Sequence, residues 1–169
     1  MLLEKDKSCL LLVDVQEKLA PLVWDYDAVV ARCEWLLRLA HSLNVPILAS
    51  EQYPQGLGAT VKELREFIFD FPFVSKVHFS CFKEPNFLSK WKELNKSQAV
   101  IIGIETHVCI LQTAMEMKEA GMEVYVVVDA VSSRHEQDHQ TALSRLKANG
   151  IHLVTAEMVF FEWVRRAGT

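Results

Sequence analysis

The chain of 169 residues carries four cysteines, Cys9, Cys33, Cys81 and Cys109, but no Cys-x-x-Cys pair. Paired zinc ligands and dithiol redox motifs are thereby excluded, and a reducing compartment would keep all four as thiols. No run of lysine or arginine forms a basic tail, and the net charge of -4 offers nucleic acid no attraction. The longest apolar runs are of strand length, too short to span a bilayer. Met1-Leu2-Leu3-Glu4-Lys5-Asp6 is too acidic and too briefly apolar for a signal peptide, so the expectation is a cytoplasmic chain. No Gly-x-Gly-x-x-Gly or phosphate-cradling lysine motif follows a strand, which argues against nucleotide binding. There is no linker rich in Pro, Gly or Ser, no internal repeat and no low-complexity segment. One domain over residues 1–169 is expected, large enough to bury a substantial core.

What the sequence does have is alternation between two periods. Leu10-Leu11-Leu12-Val13, Ala99-Val100-Ile101-Ile102 and Val124-Tyr125-Val126-Val127-Val128 are continuous apolar runs, as in strands covered on both faces. Val45-Pro46-Ile47-Leu48-Ala49, Phe73-Val74 and Ile151-His152-Leu153-Val154 are weaker members of the set. Between them lie amphipathic stretches: Val29, Cys33, Leu36, Leu37 and Ala40 share a helical face, as do Val61, Leu64, Phe67 and Ile68, and Phe87, Leu88, Trp91 and Leu94. Thr60-Val61-Lys62-Glu63 and Ser133-Arg134-His135-Glu136 match the capping-box pattern, and Gly121 and Gly150 stand where helices should stop. The fold class expected is α/β: a three-layer α/β/α sandwich on a doubly wound, mainly parallel, six-stranded sheet. Its strand order is taken as 3-2-1-4-5-6, the common doubly wound arrangement. The segment from Ile110 to Met117 is apolar almost all round, as in a central helix or one buried between subunits.

Three chemically distinct residues fall at strand ends. Asp14 follows the first run, Lys76 follows Phe73-Val74-Ser75, and Cys109 closes Gly103-Ile104-Glu105-Thr106-His107-Val108-Cys109. Singly, each has a bland reading: a turn-forming acid, a surface ammonium, a packing thiol. In the assumed strand order, however, Asp14 and Cys109 meet across the switch-point crevice, with Lys76 reaching in from the third strand. A thiol in the first turn of a helix capped by Thr106, beside an ammonium, is expected to have a lowered pKa. Cys9 and Cys33 read as packing residues, and Cys81 lies near enough to Lys76 to be an accessory thiol.

Asp14-Val15-Gln16, Lys76-Val77-His78-Phe79-Ser80 and the Gly103–Cys109 segment resemble the isochorismatase-like cysteine hydrolases, which include nicotinamidases and N-carbamoyl amidohydrolases. The resemblance covers nearly the whole chain. Ser50-Glu51-Gln52-Tyr53-Pro54-Gln55-Gly56-Leu57-Gly58 and Asp129-Ala130-Val131-Ser132-Ser133-Arg134 are most similar to the small isochorismatase-domain branch of unassigned substrate. The resemblance implies that Asp14, Lys76 and Cys109 are a catalytic triad, that the Ile104–Glu105 peptide is cis, and that the Glu105 and Cys109 amides form an oxyanion hole. It leaves the Glu105 side chain outside the chemistry, and it implies a homo-oligomer.

The implied activity is a metal-independent cysteine hydrolase of a small amide, carbamoyl or related compound, acting through a thioester on Cys109 and needing no cofactor. Its partner is a small-molecule substrate, with neither nucleic acid nor membrane. The alternatives are a catalytically silent small-molecule-binding or scaffold member of the same fold, and an isochorismate-type vinyl-ether hydrolase. Relatives that hold a metal use an Asp and histidines after the second strand, whereas Glu51-Gln52-Tyr53-Pro54-Gln55-Gly56 has no histidine. Gln16, Gln52, Tyr53 and Phe79 are the substrate-lining candidates. His78 is placed at the pocket rim and His107 as a packing or capping residue. His135 and His139 read as solvated helix positions, and Arg134 and Asp138 as a surface pair. The apolar residues Met158, Phe160, Phe161, Trp163 and Val164 suit either the chain's own core or a subunit contact.

Overall fold

The computed structural model describes residues 1–68 and 73–168. Six strands, β1 (Ser8–Val13), β2 (Ile47–Gln52), β3 (Phe73–Lys76), β4 (Gln98–Ile104), β5 (Glu123–Ser132) and β6 (His152–Val154), form one all-parallel sheet. Its order is β3-β2-β1-β4-β5-β6, so the sequence direction reverses between β1 and β4. The apolar runs become strands because both of their faces are covered. Leu10 and Leu12 of β1 pack on one side, Cys9, Leu11 and Val13 on the other.

The helices divide between those faces. α1 (Tyr26–Ser42) puts Cys33, Leu36, Leu37 and Ala40 onto the first face, joined there by Leu64 of the short α3 (Lys62–Arg65). α4 (Pro85–Leu94), α5 (Leu111–Glu119) and α6 (Glu136–Ala148) cover the second with Phe87, Trp91, Ala114, Met117, Leu143 and Leu146. α7 (Ala156–Val164) returns to the first face through Val159 and Trp163, while a single turn, α2 (Pro54–Leu57), follows β2. Each fully buried aliphatic or aromatic side chain contributes roughly 1.5–3 kcal/mol of transfer free energy, so these two layers hold the sheet. Among the described residues, no helix is long and apolar enough to cross a membrane.

Several local expectations change. Neither expected capping box forms: Thr60 turns its hydroxyl and amide to Glu51 Oε1, and the Ser133 hydroxyl is engaged by His107 Nδ1. A tertiary partner outcompetes the local cap in both places. The box that does form is at Thr155, whose Oγ1 accepts from Met158 N while Met158 Sδ accepts from Thr155 N. A thioether in the third position hides that cap from the Glu/Gln pattern. α5 is one-sided, with Leu111, Ala114 and Met117 buried and Gln112 exposed. The C-terminal apolar set splits, since Trp163 is buried whereas Met158 and Phe161 are exposed.

Gly103 is the residue on which the crevice depends. It pairs with Val13 at the β1–β4 junction at φ +117°, and a Cβ there would lie 2.2 Å from the Val13 carbonyl oxygen. Only glycine lets these two strands close just before the residues that follow them.

Candidate active site

Three strand ends deliver three side chains to one buried point. Asp14 leaves β1 in the left-handed conformation (φ +52°), which an aspartate tolerates better than most residues. Its amide is held by Ser50 O at 3.1 Å, and Ser50 Oγ donates to Asp14 Oδ1 at 2.8 Å. Lys76, the last residue of β3, extends its stem past β2 so that Nζ lies 2.8 Å from Asp14 Oδ2 and 3.4 Å from Cys109 Sγ. Nζ also donates to Gln52 Oε1 (2.5 Å), Phe79 O (2.8 Å) and His78 O (3.1 Å). Asp14 and Lys76 are almost wholly enclosed, and Cys109 is 6 % exposed. The Asp14 Oδ2 contact with Nζ is an ion pair without an aligned hydrogen bond, so this oxygen keeps acceptor capacity.

Cys109 lies in a π turn, Thr106–Ile110, that runs directly into α5. A regular first helical turn capped by Thr106 was expected. Instead Thr106 Oγ1 is spent on His139 Nδ1 at 2.8 Å, and one widened turn presents the thiol; such π insertions are frequent at functional sites. The Ile104–Glu105 peptide immediately before the turn is cis.

The electrostatics differ from the lowered thiol pKa expected from a helix end. Burial pushes the Cys109 thiol up, the Asp14 carboxylate adds to this through charge and a hydrogen bond, and Lys76 opposes both without prevailing. The thiol is thereby pushed toward its neutral form beside a carboxylate. For Lys76, burial acts to lower the pKa, but Asp14, Cys81 and Cys109 outweigh it and leave the ammonium raised. Such a lysine stays charged and stabilises an anion forming beside it.

The surrounding candidates take different places. Gln16 is fully buried and spent: its Nε2 donates to Gln52 O and Gly58 O, and its Oε1 accepts from Gln52 N. It clamps the ends of β1 and β2 together. Gln52 orients Lys76 and gives its own Nε2 to Val77 O. The side chains of Tyr53 and Phe79 are more than half exposed, and the Phe79 carbonyl accepts from Lys76 Nζ. His78 is exposed and pairs with Glu84. His107 Nδ1 meets Ser133 Oγ at 2.8 Å, with Asp138 3.8 Å from its other nitrogen. Arg134 does not pair with Asp138; its Nε and backbone amide both donate to the buried Glu105 carboxylate. His139 is not solvated but buried against Trp24 and Thr106.

Ser50 and Cys81 were the residues with least signal. Cys81 Sγ donates to Ser50 Oγ at 3.4 Å, and burial raises its own pKa to about 11. The result is a chain from thiol to hydroxyl to the Asp14 carboxylate. The adjacent turn is fastened to α5 by Cys81 N to Thr113 Oγ1 and Ser80 Oγ to Glu116 Oε2. At the end of β2, Glu51 is engaged by Thr60 and the segment that follows has no histidine, so this edge does not fit the Asp/His metal set. Among the described residues, no three His, Cys, Asp or Glu side chains converge as ligands.

Comparison with known proteins gives the same picture from outside. The isochorismatase domain family matches residues 8–158. Isochorismatase domain-containing protein 2 of Danio rerio is 43 % identical over 162 residues, covering 95 % of this chain and 80 % of that protein. Among solved structures, the MAR1 ribonuclease of Caenorhabditis elegans superposes with a TM-score of 0.94 at 33 % identity, covering 99 % of this chain and 86 % of that one. YcaC of Escherichia coli, described as an octameric hydrolase of unknown specificity, gives 0.92 at 29 % identity, covering 98 % and 83 %. YcaC of Pseudomonas aeruginosa, solved with hexane-2,5-diol and covalent acrylamide, gives 0.92 at 27 %, covering 98 % and 84 %.

Proposed function

The chain belongs to the isochorismatase family, and on that premise we propose that it is a metal-independent cysteine hydrolase of a small amide or carbamoyl compound. The observation that carries the proposal is the buried Lys76 ammonium lying between Asp14 Oδ2 and Cys109 Sγ, at 2.8 and 3.4 Å. A base, a counter-ion and a thiol within one contact network are what a nucleophilic sulfur requires.

In the proposed sequence, Asp14 takes the thiol proton as the sulfur attacks the substrate carbonyl, and Lys76 offsets the charge on the thiolate. The oxyanion that forms is held by the Glu105 and Cys109 backbone amides; losing one such donor typically costs about 2.7–4 kcal/mol of barrier. Collapse breaks the C–N bond, and the leaving amine takes the proton from Asp14. Water then gives a proton to Asp14 and attacks the thioester; the acid departs and the proton returns to sulfur. Tyr53 and Phe79 line the approach. Covalent acrylamide in the Pseudomonas YcaC supports a reactive nucleophile, since such a compound is captured at its vinyl carbon with the amide left intact, and the octameric Escherichia coli protein supports a homo-oligomer. A reducing cytoplasm would keep the thiol available. RNA, the substrate implied by the name of the worm ribonuclease, fits this chain less well, because a net charge of -4 gives RNA no general attraction.

The test is turnover and intact-mass analysis against small amides. Parent protein quenched during turnover is expected to carry an acyl group on Cys109, and Asp14→Asn and Cys109→Ala to abolish hydrolysis. Adducts scattered over all four thiols, or a Cys109→Ala variant that still hydrolyses, would overturn the proposal. Ligands that raise the melting temperature without adduct or product would instead indicate the silent binding member of the fold.

A further inference from the structure

β6 covers only part of its neighbour. Its three residues pair with Tyr125, Val126 and Val127, so the edge of β5 from Val128 onward has no strand beside it. α1 and α6, from opposite faces of the sheet, flank this uncovered edge and leave a cavity of about 540 Å3. Its walls are mainly apolar, with Val29, Val131 and Leu143 at the base and the half-exposed Trp24 indole at one side. Polar atoms enter at a few points. His139 is 3 % exposed, and its Nδ1 is committed to Thr106. No hydrogen-bond partner of its Nε2 is found among the described residues, and the ring lines the cavity.

The geometry points to a second small-molecule site here, and we infer that it takes a neutral aromatic ring bearing a hydroxyl group. The ring is matched by the apolar floor and the Trp24 face. A hydroxyl is matched by His139 Nε2, because it donates or accepts according to which imidazole tautomer Thr106 selects. Neutrality follows from the remaining charges. Asp25 and Asp129 line the cavity against the single Arg32 guanidinium, which Asp129 already faces at 3.6 Å, and burial holds His139 below its ordinary pKa. An anion would meet an excess of carboxylate.

Occupancy would be felt at the catalytic turn, a consequence that rests on the role proposed for Cys109. The cavity walls are wired to that turn twice. His139 holds Thr106, the first residue of the π turn. Trp24 N donates to Ser133 O, and Ser133 Oγ meets His107 inside the same turn. A ligand that fixes the His139 tautomer and the Trp24 position therefore acts on the segment that carries the sulfur.

The experiment titrates the whole protein with phenol, followed by amide chemical-shift mapping, with benzene and 4-hydroxybenzoate as comparison ligands and Ala28→Trp as the blocked variant. Ala28 is an exposed residue of the cavity wall, so the indole fills the space without entering the core. Saturable shifts centred on Val131, His139 and Leu143 are expected, with benzene and 4-hydroxybenzoate each about fivefold weaker and binding lost in Ala28→Trp. Phenol should also change the rate of Cys109 alkylation by iodoacetamide about fivefold in the parent protein and not in the variant. Shifts centred elsewhere, equal affinity for benzene, or undiminished binding to Ala28→Trp would overturn the site; binding in the cavity with unaltered alkylation would overturn the coupling. If Cys109 alone proved unreactive while the shifts still mapped to the cavity, the catalytic proposal would fail and the binding site would stand.

Discussion

At the scale of single residues, the Asp14–Lys76–Cys109 cluster separates charge from chemistry. Asp14 raises the Cys109 pKa and Lys76 lowers it, so their removal should move the thiol titration in opposite directions. Asp14→Asn is expected to shift it down and Lys76→Met up, read as thiolate ultraviolet absorbance against Cys109→Ala, while both variants lose turnover. Lys76→Met should also cost about 3–5 kcal/mol of stability, because it leaves a buried carboxylate unpaired. Ser50 acts one step back, fixing Asp14 Oδ1. Ser50→Ala should lower kcat about tenfold with KM little changed, since a hydrogen bond to a charged group is worth roughly 1.5–3 kcal/mol. An unchanged kcat would remove Ser50 from the positioning of the base. Ser50 opens the Ser50–Gly58 segment, but an uncharged serine inside an apolar strand reads as packing, whereas Asp14, Lys76 and Cys109 stand out by chemical type. The pairing of Arg134 with Glu105 was hidden for a related reason: their spacing of 29 residues carries no helical or strand period.

At the scale of elements, β1 and β4 could be read because burial on both faces forces continuous apolar runs, whereas the edge strands β3 and β6 are only partly buried and gave weaker signals. The caps could not, since Thr60, Thr106 and Ser133 each found a tertiary partner that no local pattern encodes. The π turn has no compositional signature either. Gly103 shows how the β1–β4 junction can be tested. Gly103→Ala places a methyl against the Val13 carbonyl at a backbone angle that alanine avoids. The expected loss is about 3 kcal/mol or more, measured by urea unfolding, with Cys109 reactivity lost in any folded fraction. A variant of unchanged stability and activity would mean that the strands close the crevice without the glycine.

At the scale of the whole molecule, four thiols are sealed inside the fold. Burial pushes Cys9 and Cys33 up to about 12 and Cys81 to about 11, and raises Cys109 as well. In the unfolded chain these groups ionise near pH 8.5, so above that the folded state binds more protons and stability must fall as pH rises. The slope approaches roughly 1.4 kcal/mol per pH unit for each thiol held neutral, until the folded groups themselves ionise. Urea midpoints taken between pH 8 and 10.5 should decline, and Cys33→Ala should make the decline shallower by about one proton; a flat profile would show that the thiols are not protected.

The ties between the Cys81 turn and α5 carry one more consequence. Thr113 and Glu116 fasten the segment following the lysine strand to the helix that follows the sulfur. The Lys76 ammonium and the Cys109 thiol are thus tied through a common element, α5. Loosening either tie should therefore be felt at both groups at once.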